Sequence, residues 1–118
     1  MDNVLVSRIL SGLPDNVISV EKAYNYGKQM VWNDLRKGET GFPPILGYWG
    51  EATEEHLGWH TGLFVTERND EKIITKEDIG KPFFFVTDGH HRVMGAKMHG
   101  LGMLPYELDK TGYCTHNK

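Results

Sequence analysis

Asp88, Gly89, His90, His91 and Arg92 are consecutive, and they hold most of the reactive chemistry this sequence offers. A carboxylate, two imidazoles and a guanidinium surround a glycine where the apolar run Phe83-Phe84-Phe85-Val86 gives way to the helix-like Val93-Met94-Gly95-Ala96-Lys97. Such a junction suits a phosphate. Glycine lets the backbone bend and approach a ligand closely, and the free N–H groups of a helix N-terminus favour an anion. Arg92 would grip phosphate oxygens with its planar fork of donors, and Asp88, ending the strand, would hold a divalent cation or a hydroxyl. His90 and His91 titrate near neutrality and are available for proton transfer or neutral hydrogen bonding. The plainer alternative is a polar turn in which Asp88 caps the helix.

Several elements must position that turn. Val4 to Leu10 reads as a short helix closed by Gly12 and Pro14. Glu21 to Lys37 reads as a longer one: Ser19 can cap it, Glu21 sits favourably in its first turn, and Val20, Ala23, Tyr24, Gly27, Met30, Val31 and Leu35 recur at helical spacing. Gly38 suits its end. Pro43-Pro44-Ile45-Leu46-Gly47-Tyr48-Trp49 reads as a strand entering at a sheet edge, because paired prolines cannot sit inside a ladder. Leu63 to Thr66 and Lys72 to Thr75 form a plausible hairpin around Asn69-Asp70, and Lys76 to Ile79 a single helical turn before Gly80 and Pro82. The expected product is one α/β (α+β) domain over residues 1–118, a mixed sheet with packed helices and an inserted hairpin.

Composition narrows the function classes. With 118 residues, 39% of them hydrophobic, the chain can build a core without disulfide or metal staples. Its 13 basic and 16 acidic residues give no broad attraction to nucleic acid, although a local positive patch can survive an acidic average. The single cysteine, Cys114, cannot form an intramolecular disulfide, and no membrane span or signal segment stands out, so the expected location is cytoplasmic and no membrane partner is expected.

The segment VTDGHHRVMGAKMHGLGMLPYEL resembles the core of the ParB/sulfiredoxin superfamily, in which a strand, a Gly-x-x-Arg-like turn, an Ala-containing helix, a Gly-marked helix end and a Pro-preceded strand follow in order. The matching positions are Gly89, Arg92, Ala96, Gly100 and Leu104-Pro105-Tyr106. Upstream, the helix Glu21 to Lys37, Gly38 and Pro43-Pro44-Ile45-Leu46 are similar to the family's preceding helix and "Gly, then Pro-Ile-Val" strand entry. The two blocks cover about half the chain, with a middle that does not align. The resemblance implies a ParB/sulfiredoxin-like fold and a nucleotide or phosphate at the turn, but its members range from CTP-binding partition proteins and nucleases to sulfinic acid reductases and an ADP-dependent free serine kinase. Sulfiredoxin chemistry is not implied, because His90 stands where that turn carries its nucleophilic cysteine. The Asp-Gly-His-His-Arg form looks closer to the free serine kinase and to uncharacterised ParB-like proteins.

Under this resemblance the ligand is a nucleoside di- or triphosphate with Mg²⁺. Asp88 is the metal residue, Gly89, His90, His91 and Arg92 bind the nucleotide, and Asp88, His91 and Glu21 carry catalysis. The expected reaction is magnesium-dependent nucleotide hydrolysis or phosphoryl transfer. A nuclease holding the scissile phosphate at the same turn is the alternative enzyme; a catalytically silent module that tethers or inhibits a partner protein is the alternative without chemistry. Partition proteins add a helix-turn-helix domain, whereas only Leu108 to Lys118 follows the Pro105 strand here. DNA, if bound, is therefore expected to meet the core domain or a partner. Other residues have plain readings: Glu21 as a first-turn carboxylate, Lys97 as a solvated cation, His99 as a helix-end imidazole, Tyr48, Trp49 and Trp59 mainly as packing, and His56 and His60 as an unconvincing metal pair interrupted by Gly58.

Overall fold

The computed structural model describes residues 2–11, 19–37, 41–62 and 73–109, with backbone only for 34–37. Five strands form one mixed sheet: β1 (Asn3–Leu5), β2 (Ile9–Leu10), β3 (Ile45–Glu51), β4 (Pro82–Asp88) and β5 (Met103–Leu108), in the spatial order β1-β5-β3-β4-β2. β3 is antiparallel to β4 and parallel to β5, β2 is parallel to β4, and β1 is antiparallel to β5. Two helices, α1 (Val20–Lys37) and α2 (His90–Met98), complete the α+β fold. No helix among the described residues is long and apolar enough to cross a membrane.

Alternation along β4 explains how the sheet is clad on both faces. Phe84 and Val86 join Ile9, Ile45 and Leu104 in a core that also holds Ala23 and Met30 of α1 and Val93, Met94 and Ala96 of α2. Phe83 turns the other way, into a smaller cluster with Leu10, Ala52 and Ile74, against which Trp59 and Phe85 pack. Phe84 is wholly buried, and a side chain of that size contributes roughly 1.5–3 kcal/mol by leaving water. The helices themselves meet without an intervening side chain at Gly27, where a Cβ would overlap the Gly95 carbonyl.

Three expectations change. Val4 to Leu10 is two short strands around one 3₁₀ turn, Val6–Arg8, rather than a helix. Its β-branched residues are used in extended pairing, with Ile9 opposite Phe84 and Leu10 opposite Phe85, which buries both. The Pro43-Pro44 strand enters the middle of the sheet, not its edge, because the prolines precede β3 and leave Ile45–Glu51 free to pair on both sides. Of the residues that recur at helical spacing in α1, Ala23 and Met30 face the core, but Val20 and Tyr24 are 57% and 48% exposed. The Lys76–Asp78 turn forms as expected, with the Thr75 N–H donating to Asp78 Oδ2 at 2.9 Å. Most of the expected hairpin, residues 63–72, lies outside the described residues, and Ile73 bridges His60.

Candidate functional site

β4 ends on Asp88, opposite Leu46, beside a register irregularity between Leu46 and Gly47. Gly89 follows with φ 104° and ψ 23°, a left-handed conformation that L side chains rarely adopt. A Cβ there would also lie 2.8 Å from Ile45 Cγ2, so the close approach of turn and β3 demands glycine twice over. Gly89 is itself the N-cap of α2; its carbonyl accepts from the Val93 N–H at 3.0 Å, and no side chain caps the helix. Asp88 therefore does not play the capping role that the plainer reading gave it. Among the described residues no side chain accepts from the first-turn N–H groups of His90, His91 and Arg92, which is the arrangement an anion would complete.

Arg92 is largely committed to the fold. Its Nη1 donates to the carbonyl of Pro43 and, at 3.2 Å, to that of Pro44, while Nη2 lies 3.5 Å from Asp88 Oδ2. The Arg92 side chain is 13% exposed, against 68% for Asp88. The two prolines bring carbonyls and no N–H groups to the entrance of β3, and the guanidinium supplies donors to them. Arg92 thus fastens β3 to the start of α2.

His91 joins the two helix starts. Its Nε2 accepts the Ser19 N–H at 3.0 Å, and Ser19 Oγ accepts the Lys22 N–H at 3.2 Å, so Ser19 caps α1 as its sequence position suggested. An accepting Nε2 carries no proton, so the ring is in the neutral form in this contact. Burial, then the nearby Lys22 charge, pushes His91 below the ordinary 6.5 and favours that form. His90 is also pushed down, first by burial, with Asp88 opposing and His91 adding to the shift. The N-termini of α1 and α2 and the Lys22 ammonium consequently share one region of positive potential. Sequence reading noticed Ser19 as a cap but not that it meets His91, and it passed over Lys22. Glu21 lies in the first turn of α1, exposed, with no hydrogen bond or ion pair to residues 88–92 among the described residues.

The remaining candidates have structural partners. His99 Nε2 donates to the Tyr24 carbonyl at 2.9 Å, tying α2 to α1, and Lys97 Nζ donates to the Thr61 carbonyl at 2.7 Å. His56 Nδ1 accepts the Thr53 N–H at 2.9 Å in a capping box, with its ring edge-on to Trp59. No group of three His, Cys, Asp or Glu able to hold a metal occurs among the described residues. Tyr48 stacks on Phe85, and Trp49 meets Phe84 and Tyr106 edge-on, but both stay more than two-fifths exposed, at 42% and 43%. Cys114 and His116 lie outside the described residues.

No family model matches the sequence, and neither a curated protein nor a solved structure gives a match.

Proposed function

We propose that this chain is a ParB-like nucleotide- or phosphate-binding domain, with the phosphate held at the Asp88–Arg92 turn and used in magnesium-dependent hydrolysis or phosphoryl transfer. The observation that carries the reading is the meeting of two helix starts: the uncapped first turn of α2 behind a left-handed Gly89, joined through His91 to the Ser19 N–H of α1, with Lys22 beside them. Backbone N–H groups and Lys22 would take the phosphate, rather than the Arg92 fork on which the sequence placed most weight. Asp88, exposed and held among the described residues by one long ion pair, would reach a magnesium ion whose other ligands are phosphate oxygens and water, the way that ion is commonly bound. His91 could orient or accept a proton from a nucleophile only after giving up Ser19.

A catalytically silent binding module is the second reading, favoured by the commitment of Arg92 to Pro43 and Pro44 and by the lack of a metal-holding trio among the described residues. A thermal-shift screen of nucleoside di- and triphosphates and inorganic phosphate, with and without magnesium, tests both. Stabilisation by phosphates that grows with magnesium supports the enzyme; stabilisation indifferent to magnesium supports the module. Indifference to every phosphate would remove the turn from function.

A further inference from the structure

On the opposite side of β4 from α2, a half-open cleft of about 210 Å³ is lined by Ser7, Arg8, Thr61, Ile74, Asp78, Lys81 and Phe83. Its floor is apolar and fixed, since Ile74 and Phe83 are each 2% exposed. The rest of the lining is polar, with the Ser7 hydroxyl and cations from Arg8 and Lys81, while Thr61 is buried at 3% exposure. Arg8 is held in place from below, its guanidinium carbon 5.1 Å from the centre of the Phe83 ring and Nη1 at a long 3.4 Å from the Pro82 carbonyl. Neither contact uses a carboxylate, and among the described residues neither Arg8 nor Lys81 forms an ion pair. Asp78 is the one carboxylate of the lining; its Oδ2 accepts from the N–H and hydroxyl of Thr75, and its single negative charge stands against the two cations.

In a chain with a net charge of −3, a small cleft lined by two cations and one carboxylate is locally positive, against the sign of the whole. We propose that this cleft is a second ligand site, independent of the Asp88–Arg92 turn, which binds a small oxyanion through Arg8 and Lys81 with the Ser7 hydroxyl donating to the same group. Carboxylate and phosphate share the chemistry required, an oxygen acceptor of negative charge for a guanidinium fork and an ammonium. The small volume limits the occupant to such a group with a short body, and the rigid Ile74–Phe83 floor keeps the cations at a fixed depth.

The test is residue-resolved NMR of the whole chain titrated separately with inorganic phosphate and with acetate. The proposal expects saturable amide shifts at Ser7, Arg8 and Lys81, with phosphate alone active if the site selects the dianion and both active if it takes either class. Lys81→Gln and Arg8→Gln should each weaken binding about tenfold, the scale of one hydrogen bond to a charged group. Because Arg8 also packs on Phe83, the Lys81 variant decides the matter if the Arg8 variant is unstable. Shifts confined to Gly89–Val93 would overturn this site while leaving the turn intact, and an unchanged affinity in Lys81→Gln, or no shift near the cleft with either anion, would overturn it outright.

Discussion

Arg92 and Arg8 carry the same guanidinium into opposite circumstances. Arg92 belongs to the most motif-like string in the chain, yet its donors are engaged by the Pro43 and Pro44 carbonyls and by Asp88, and the side chain is 13% exposed. Arg8 stands in an ordinary stretch, Val6-Ser7-Arg8, and rests on an aromatic ring with, among the described residues, one long hydrogen bond. Neighbours in sequence indicate what a cation could do. Whether it is available depends on what the fold brings from elsewhere, and for Arg92 that is a pair of carbonyls some fifty residues away, as the separation of 49 between Arg92 and Pro43 shows.

The largest effect that would break this contrast is on stability. Arg92→Ala should cost about 1–3 kcal/mol, because it strips a donor from two carbonyls and loosens the attachment of β3 to α2, whereas Arg8→Ala should cost about 1 kcal/mol or less, the worth of an exposed cation–π contact. Urea unfolding of both variants measures the difference. Arg92→Lys should recover only part of the loss, since one ammonium cannot span the same acceptors. Equal losses at Arg8 and Arg92 would erase the distinction between a structural and an open arginine.

Gly89→Ala comes next, at about 1–3 kcal/mol from placing a side chain at φ 104° against Ile45. Adding Ile45→Ala removes the Cγ2 that the new Cβ would meet, and a coupling energy in the double-mutant cycle would separate the steric part from the backbone part. Additive losses would assign the whole cost to the dihedral. A stable Gly89→Ala protein would mean that the glycine is there for a ligand alone.

These residues show how far the sequence could be read. The α2 helix, the strand before it and the strand after it were legible because their signals are local: apolar alternation in Phe83–Val86, a glycine at the turn, Gly100 past the helix end. Val4–Leu10 was not, because an apolar run so short has no decisive period, and its pairing partners Phe84, Phe85, Leu104 and Met103 lie far along the chain. The candidate site divides the same way. Its backbone geometry follows from Asp88-Gly89, while the partners of Arg92 and His91 are non-local and leave no mark in the string DGHHR.

His91 sharpens the comparison by a smaller and pH-dependent amount. Its accepting Nε2 and its lowered pKa mean that the unfolded chain takes up a proton before the folded one does. Stability is therefore greatest above 6.5, falls as pH drops below 6.5, and levels off once pH passes the depressed folded value. His90 contributes in the same direction. His91→Gln keeps an acceptor for Ser19 without a titrating ring, so denaturant unfolding across this range should show a shallower pH slope than the parent. An identical slope would place the effect on His90 alone.

Asp88→Asn should disturb stability least, by less than about 1 kcal/mol, because the carboxylate is 68% exposed and its ion pair with Arg92 is long. Its effect on function should instead divide the two proposed readings. Removing the charge lowers repulsion toward a phosphate, so metal-free phosphate binding at the turn should be retained or tightened. A magnesium-dependent reaction should collapse, since the amide is a poorer partner for the cation that screens the transferring phosphoryl group. Following nucleotide hydrolysis and DNA nicking in both proteins while magnesium is titrated gives the decision. Turnover lost in Asp88→Asn with phosphate affinity preserved would make Asp88 the metal residue of an enzyme. A folded parent that turns over neither nucleotide nor nucleic acid at any magnesium concentration would leave the turn as a binding surface, with its arginine committed to the fold.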